Sequence, residues 1–315
     1  LFSKRVRTTG VRRFDDGAIR WCANLLATEE SRLRKCWIIY RANIPVFMFG
    51  KEVADFVIFR LPQVYFRSMQ QTIYHRILLL ANIHPAVTGF CPGKSVSDNA
   101  RVHLGRKNVL KVDLHDFFPS IRSPRVRAAF REMGYSRSIA KVLAELCCLR
   151  CFLPQGAPTS PALSNIIAYP MDKKMMALAG EYGLVYTRYA DDLTFSGDYL
   201  PKDEVLVRIH RIIREEGFTM NVKKTRFLSE HKRKIITGVS VSSGKKMTLP
   251  KVKKREIRKN VHYVLTKGLV GHQEHIGSTD PVYLKRLLGS LCYWRSIEPD
   301  NRYVSDSITA LKRLM

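Results

Sequence analysis

Two adjacent carboxylates, Asp191 and Asp192, interrupt the stretch VYTRYADDLTFSG (residues 185–197), which otherwise alternates like a β-strand. Neighbouring negative charges weaken a strand, so the pair needs a chemical reason. A second acid, Asp113, stands where the β-rich run KNVLKVDL (107–114) ends, with Asp116 three residues later. A strand-end carboxylate beside a hairpin carrying two more gathers charge that is costly without a counter-ion and drives pKa values up. Divalent cations remove that penalty. Mg²⁺ favours a few carboxylate oxygens completed by substrate phosphates and water. Two such ions about 4 Å apart can activate a 3′-hydroxyl and stabilise a leaving pyrophosphate during in-line displacement. Asp113, Asp191 and Asp192 are therefore the expected metal ligands and catalytic residues, with two Mg²⁺ as cofactor and Mn²⁺ as a substitute. A third stretch, LPQGAPTSP (153–161), leads into a helix start, whose free N–H groups suit a triphosphate or template backbone. Gln155 and Gly156 in it allow a flat base pair to approach.

The surrounding elements follow from local signals. KNVLKVDL reads as a strand. Ser123-Pro124 opens a helix that Gly134 can close, Ser136 caps the next, and Ser160-Pro161 opens a third running to about Gly180. GLVYTRYADDLTFSG makes a hairpin with the aspartates at or near its turn. Pro201 begins a helix ending at Gly217, FTMNVKKTRFL and RKIITGVSV read as strands, and SSGKK supplies a turn. Helices are expected over about 63–83 with a basic face, and over 250–267, 281–296 and 304–315. The first 50 residues, including CWIIYRANIPVFMFG, mix signals. The sum is an α+β chain, a mixed sheet with helices followed by a helical tail.

Composition narrows the partner. The chain carries 54 Lys+Arg against 27 Asp+Glu, a net charge of +27, which calls for a polyanion, either nucleic acid or an anionic membrane surface. No run of 18 apolar residues predicts a membrane span, and LFSKRVRTTG lacks the apolar core of a signal peptide. Seven cysteines without paired spacing fit a reducing, cytoplasmic setting. Cys148 and Cys151 form a lone C-x-x-C that reads as a buried helix end, and His272 and His275 are too isolated to be ligands. Gly93-Lys94-Ser95 is no phosphate loop, because Thr88 stands where that pattern needs glycine. Over 245–315 there are 15 Lys+Arg and 6 Asp+Glu. KVKKREIRKNVHYV sets cations around most of a helix, so Lys253, Lys254, Arg255 and Arg258 are expected to contact phosphates.

VDLHDFF, LPQGAPTSP and YADD, in this order, resemble the palm motifs of a reverse transcriptase. Asn99-Ala100-Arg101-Val102-His103, GFCPGKSVSDNA and Ile236-Thr237-Gly238 are similar to elements of bacterial retron reverse transcriptases. The likeness is good over about 55–260 and loose in the tail. It implies a right-hand polymerase fold: N-terminal helices and fingers in 1–105, a palm in 106–245 with interleaved fingers helices at about 124–165, and a basic helical thumb in 246–315. It also implies that Leu114, Phe118, Gln155, Gly156, Tyr189 and Lys224 surround the nucleotide, with Phe118 as the ring that excludes a ribose 2′-OH and Lys224 as a candidate acid. GVSVSSGKKMTL would grip the primer, and Asn99 and His103 would serve RNA binding. Relatives of this type copy a cognate structured RNA with dNTPs, prime from a 2′-OH to leave branched RNA–DNA, and act with an effector or toxin protein in phage defence, away from membranes. Asp55 and Val57 depart from the family's basic positions, where Arg60 or Arg67 could substitute. A group II intron or diversity-generating enzyme, and a nucleic-acid-binding scaffold restraining a toxin, are the alternatives.

Overall fold

The computed structural model describes residues 16–26 and 66–315. The aromatic stretch at 36–50 and the segment with Asp55, Val57 and Arg60 lie outside them; Arg67 lies inside and is exposed.

Helix α1 (Asp16–Leu25) and a helical run over 66–76 come first. Helix α2 (Val96–Arg101) begins at a capping box, in which Ser95 and Asp98 satisfy each other's backbone N–H groups. Strand β1 (Asn108–His115) follows, then the short α3 (Phe117–Ser120). Helix α4 (Ser123–Glu132) has Pro124 in its first turn, but Arg122 rather than Ser123 is the N-cap. The Ser123 N–H is held by the Cys151 carbonyl at 2.8 Å. Ser136 caps α5 (Arg137–Cys147) as expected, accepting from the Ile139 N–H at 3.3 Å. Cys147 and Cys148 end that helix in the core. The expected third helix is two, α6 (Ser160–Ile167) and α7 (Tyr169–Glu181), parted at Ala168.

Strands β2 (Val185–Tyr189) and β3 (Asp192–Gly197) form the hairpin. Helix α8 (Lys202–Glu215) is followed by β4 (Thr219–Met220) and β5 (Arg226–Leu228), much shorter than the strand expected over 218–228. Asn221 breaks it. Its carbonyl and side chain accept from the N–H groups of Thr225 and Lys224, a turn that asparagine favours. Strands β6 (Ile235–Ile236) and β7 (Val239–Ser240) join through Thr237-Gly238, both at positive φ, which matches the twist of a tight hairpin. The tail holds α9 (Lys251–His275), α10 (Tyr283–Ile297) and α11 (Arg302–Lys312). Gly268, at φ +74, kinks α9 where the sequence pattern stops.

The chain forms two interleaved compact units. One contains residues up to His84, His115–Pro170 and Glu216–Thr219; the other contains Pro85–Leu114, Met171–Glu215 and Met220–Met315. In the first, α1 and α4–α6 pack around a buried core that includes Phe130, Leu143 and Leu153. In the second, the antiparallel sheet runs β2-β3-β1-β4, with β5 also on β1. Its core joins Val109, Ile236 and Val239 to Ile257, Leu291, Trp294 and Ile308, so the tail helices share one interior with the sheet strands.

Candidate active site

The acids are placed by strand register. Asp113 pairs with Asp192 across β1 and β3, and Tyr189 pairs with Asp192 across β2 and β3. Ala190 and Asp191 are thus the two turn residues, with Ala190 at φ +56. Directly opposed carboxylates lie close on one face of an antiparallel pair. The backbone is tied on both sides of Asp113. Its carbonyl accepts from the Asn221 N–H at 2.7 Å, and the Leu114 N–H donates to the Asp191 carbonyl at 3.0 Å.

Lys224 Nζ lies 3.3 Å from both carboxylate oxygens of Asp113 but is hydrogen-bonded only to Oδ2. Oδ1 is buried and accepts no hydrogen bond. The lysine side chain is 64% exposed, so this ion pair is weak and easily exchanged. Burial first, then the charges of Asp192 and Asp113, push the Asp191 carboxyl above its ordinary value, against a backbone hydrogen bond and Lys224. A cavity of about 240 Å³ beside these groups is lined by Lys111, Val112, Asp113, Asp192, Lys224 and Arg226.

Among the described residues, no three Asp, Glu, His or Cys side chains converge closely enough to hold a metal as they stand. The donor chemistry nevertheless fits a hard divalent cation: carboxylate oxygens only, one of them buried and without a donor. Asp113, Asp191 and Asp192 are the residues that could hold it, with Lys224 standing in for part of its charge.

The other expected site residues divide. Tyr189 is half-buried with its ring 6.3 Å from that of Phe90. The Leu114 side chain is buried in the core, so only its backbone borders the acids. Phe118, on α3 beside Phe117, and the exposed Gln155 and Gly156 belong to the other compact unit. Asn99 and His103, expected to serve RNA binding, are both completely buried. Asn99 links Thr88 Oγ1, at 2.9 Å, to Thr237 Oγ1, at 3.4 Å. His103 bridges Thr187 on β2 and Ser196 on β3, at 2.8 and 2.6 Å. Of the tail cations, Lys254 is half-buried, 2.6 Å from Glu298 and 5.6 Å from the Trp294 ring. Lys253 pairs with Glu256 at 2.9 Å, Arg258 lies over Trp294 and Tyr303 at 5.5 and 5.0 Å, and Arg255 is exposed.

Lys111 and Arg226 escaped sequence reasoning, although the period of two puts Lys111 on the same face as Asp113. They face each other across β1 and β5. Gly89 was also missed. A Cβ there would meet Ala190 N at 2.6 Å, so the backbone of 86–89 lies against the acid-bearing turn.

An antiparallel sheet with helices, presenting paired acids on a hairpin turn opposite a third on the central strand, is the palm arrangement of a template-directed nucleotide polymerase with an α+β polymerase fold. The model of the reverse transcriptase (RNA-dependent DNA polymerase) family matches residues 56–263, and the chain belongs to that family. It is 37% identical over 212 residues to the Retron Ec86 reverse transcriptase of Escherichia coli, covering 67% of this chain and 65% of that protein. It is 34% identical over 258 residues to the Retron Mx65 reverse transcriptase of Myxococcus xanthus, covering 76% of this chain and 58% of that one. The chain therefore matches less than two thirds of the length of these two relatives. Among the described residues no helix is long and apolar enough to cross a membrane.

Proposed function

We propose that this chain is a retron-type reverse transcriptase, copying part of a cognate structured RNA into DNA from dNTPs. The observation that carries this reading is the register that sets Asp113 against Asp192 with Asp191 in the adjoining turn, beside Lys224, in a chain of the reverse transcriptase family. Asp113, Asp191 and Asp192 would hold divalent ions, two Mg²⁺ by preference, which would supply Lewis acidity for the 3′-hydroxyl and positive charge for the leaving pyrophosphate. The three acids hold that charge in place. Lys224 releases Asp113 to it and turns to the nucleotide phosphates, where its ammonium can donate a proton. By likeness to the family, Tyr189 would serve the incoming nucleotide, Gln155-Gly156 would lie against the templating pair, and Phe118 would exclude the ribose 2′-OH. Priming from a 2′-OH of the template RNA, giving branched RNA–DNA, and work with an effector protein in phage defence complete the proposal by likeness to retron enzymes. The basic tail supports an RNA partner through phosphate contact.

Primer extension by the full chain with Mg²⁺ and dNTPs tests this. Asp191→Asn is expected to cut nucleotide incorporation by at least about 100-fold, since even groups that only orient metal ligands cost 10–100-fold. Full activity in that variant would end the assignment.

A further inference from the structure

Arg188 has no part in the chemistry above, yet it is a completely buried cation two residues before the acid-bearing turn. Its guanidinium is divided between two tasks. Nε and Nη2 donate to Asp172 Oδ1 and Oδ2 at 2.8 and 2.7 Å, and Nη1 donates to the carbonyl of Ala190 at 3.1 Å. Asp172, on α7, is itself fully buried and also accepts from the Tyr186 hydroxyl at 2.8 Å. The Arg188 backbone is fixed as well, with its N–H on the Ala86 carbonyl at 3.0 Å and its carbonyl holding the Thr88 N–H at 2.9 Å.

Buried ion pairs are poor sources of net stability, because desolvation offsets their attraction; what such a pair can supply is a fixed geometry. Here there is something to fix. Ala190 is a non-glycine residue at positive φ, a conformation that persists only where its surroundings over-determine it. A fork with one arm locked by Asp172 and the other on the Ala190 carbonyl does that, and Gly89 lies close against the preceding Tyr189–Ala190 peptide. We infer that Asp172 and Arg188 are a positioning pair for nucleotidyl transfer, setting the Ala190-Asp191 turn so that Asp191 and Asp192 face Asp113 in productive register. The inference rests on the polymerase reading and adds to it the residues that aim the acids.

The test compares three variants of the full chain by melting temperature, template–primer affinity, dNTP KM, and the rate of single-nucleotide addition at saturating dNTP. In Asp172→Leu/Arg188→Met the pair is replaced by apolar groups of similar size, which keeps the core filled. It is expected to melt near the wild type and bind template–primer within about twofold. Addition should slow by about 100-fold, the scale of a 1 Å misplacement, with a raised Mg²⁺ requirement. Arg188→Lys, which keeps the charge on Asp172 but loses the second arm, should show the same split and decides the matter if the double variant does not fold. Tyr186→Phe removes a hydroxyl bonded to Asp172 but leaves both arms of the Arg188 fork in place, so it should lower the melting temperature while leaving the rate unchanged. Variants whose rate matches wild type, or falls only in proportion to the loss of melting temperature, would overturn the positioning role. A wild-type protein that adds no nucleotide would overturn the polymerase reading instead.

Discussion

His103 shows how a single buried side chain records its surroundings. Burial first, and then the nearby charge of Arg106, lower its pKa to about 3, so the folded protein keeps it neutral between Thr187 and Ser196. The unfolded chain takes up that proton near the ordinary value of about 6.5. Between these limits the unfolded state binds more protons than the folded one, so stability is complete above about pH 6.5 and drains away as pH falls toward 3. His103→Gln can keep both hydrogen bonds without titrating. Its melting temperature should therefore fall less steeply than that of the wild type between pH 6.5 and pH 4, which a thermal-melt series would read. Equal slopes would mean that His103 is not the group that resists protonation.

At the scale of elements, the hairpin β2–β3 is braced from behind by the segment 86–89, which pairs with β2 through Val87 and Arg188. The close approach needs a residue with no side chain at position 89. Gly89→Ala would press a methyl group onto Ala190 N, where rigid backbone leaves no easy escape. Overpacking of this kind costs about 1–3 kcal/mol, and here the strain falls on the turn that carries the acids. The expected result is a modest drop in melting temperature with a disproportionate loss of nucleotide addition. A variant that loses stability and activity in proportion would place the strain elsewhere.

For the whole molecule, the +27 net charge is the dominant fact, and not every cation is available to a nucleic acid. Lys254 is committed to Glu298 and Trp294 inside the unit, whereas Arg255 is exposed, as are Lys253 and Arg258 despite their contacts. Removing Lys253, Arg255 and Arg258 together should weaken RNA binding and flatten its salt dependence by about one unit of slope per lost phosphate contact. Lys254→Ala should instead lower the melting temperature and leave the slope nearly unchanged. Binding titrations at several salt concentrations separate the two outcomes.

The sequence alone determined the acids, the elements that bear them and the family likeness, because those depend on local patterns. A period of two marked the strands, proline and serine marked helix starts, and YADD stood out against its own strand. Only the tertiary structure decided which polar residues face inward. His103 is buried between the two strands of the hairpin, Asn99 is buried between Thr88 and Thr237, and Lys254 is paired with Glu298 while its neighbours are exposed. Arg188 and Asp172 gave no signal at all, since they lie 16 residues apart on different elements. Burial and pairing arise between segments distant in the chain, and a local pattern carries no record of the partner that will meet it.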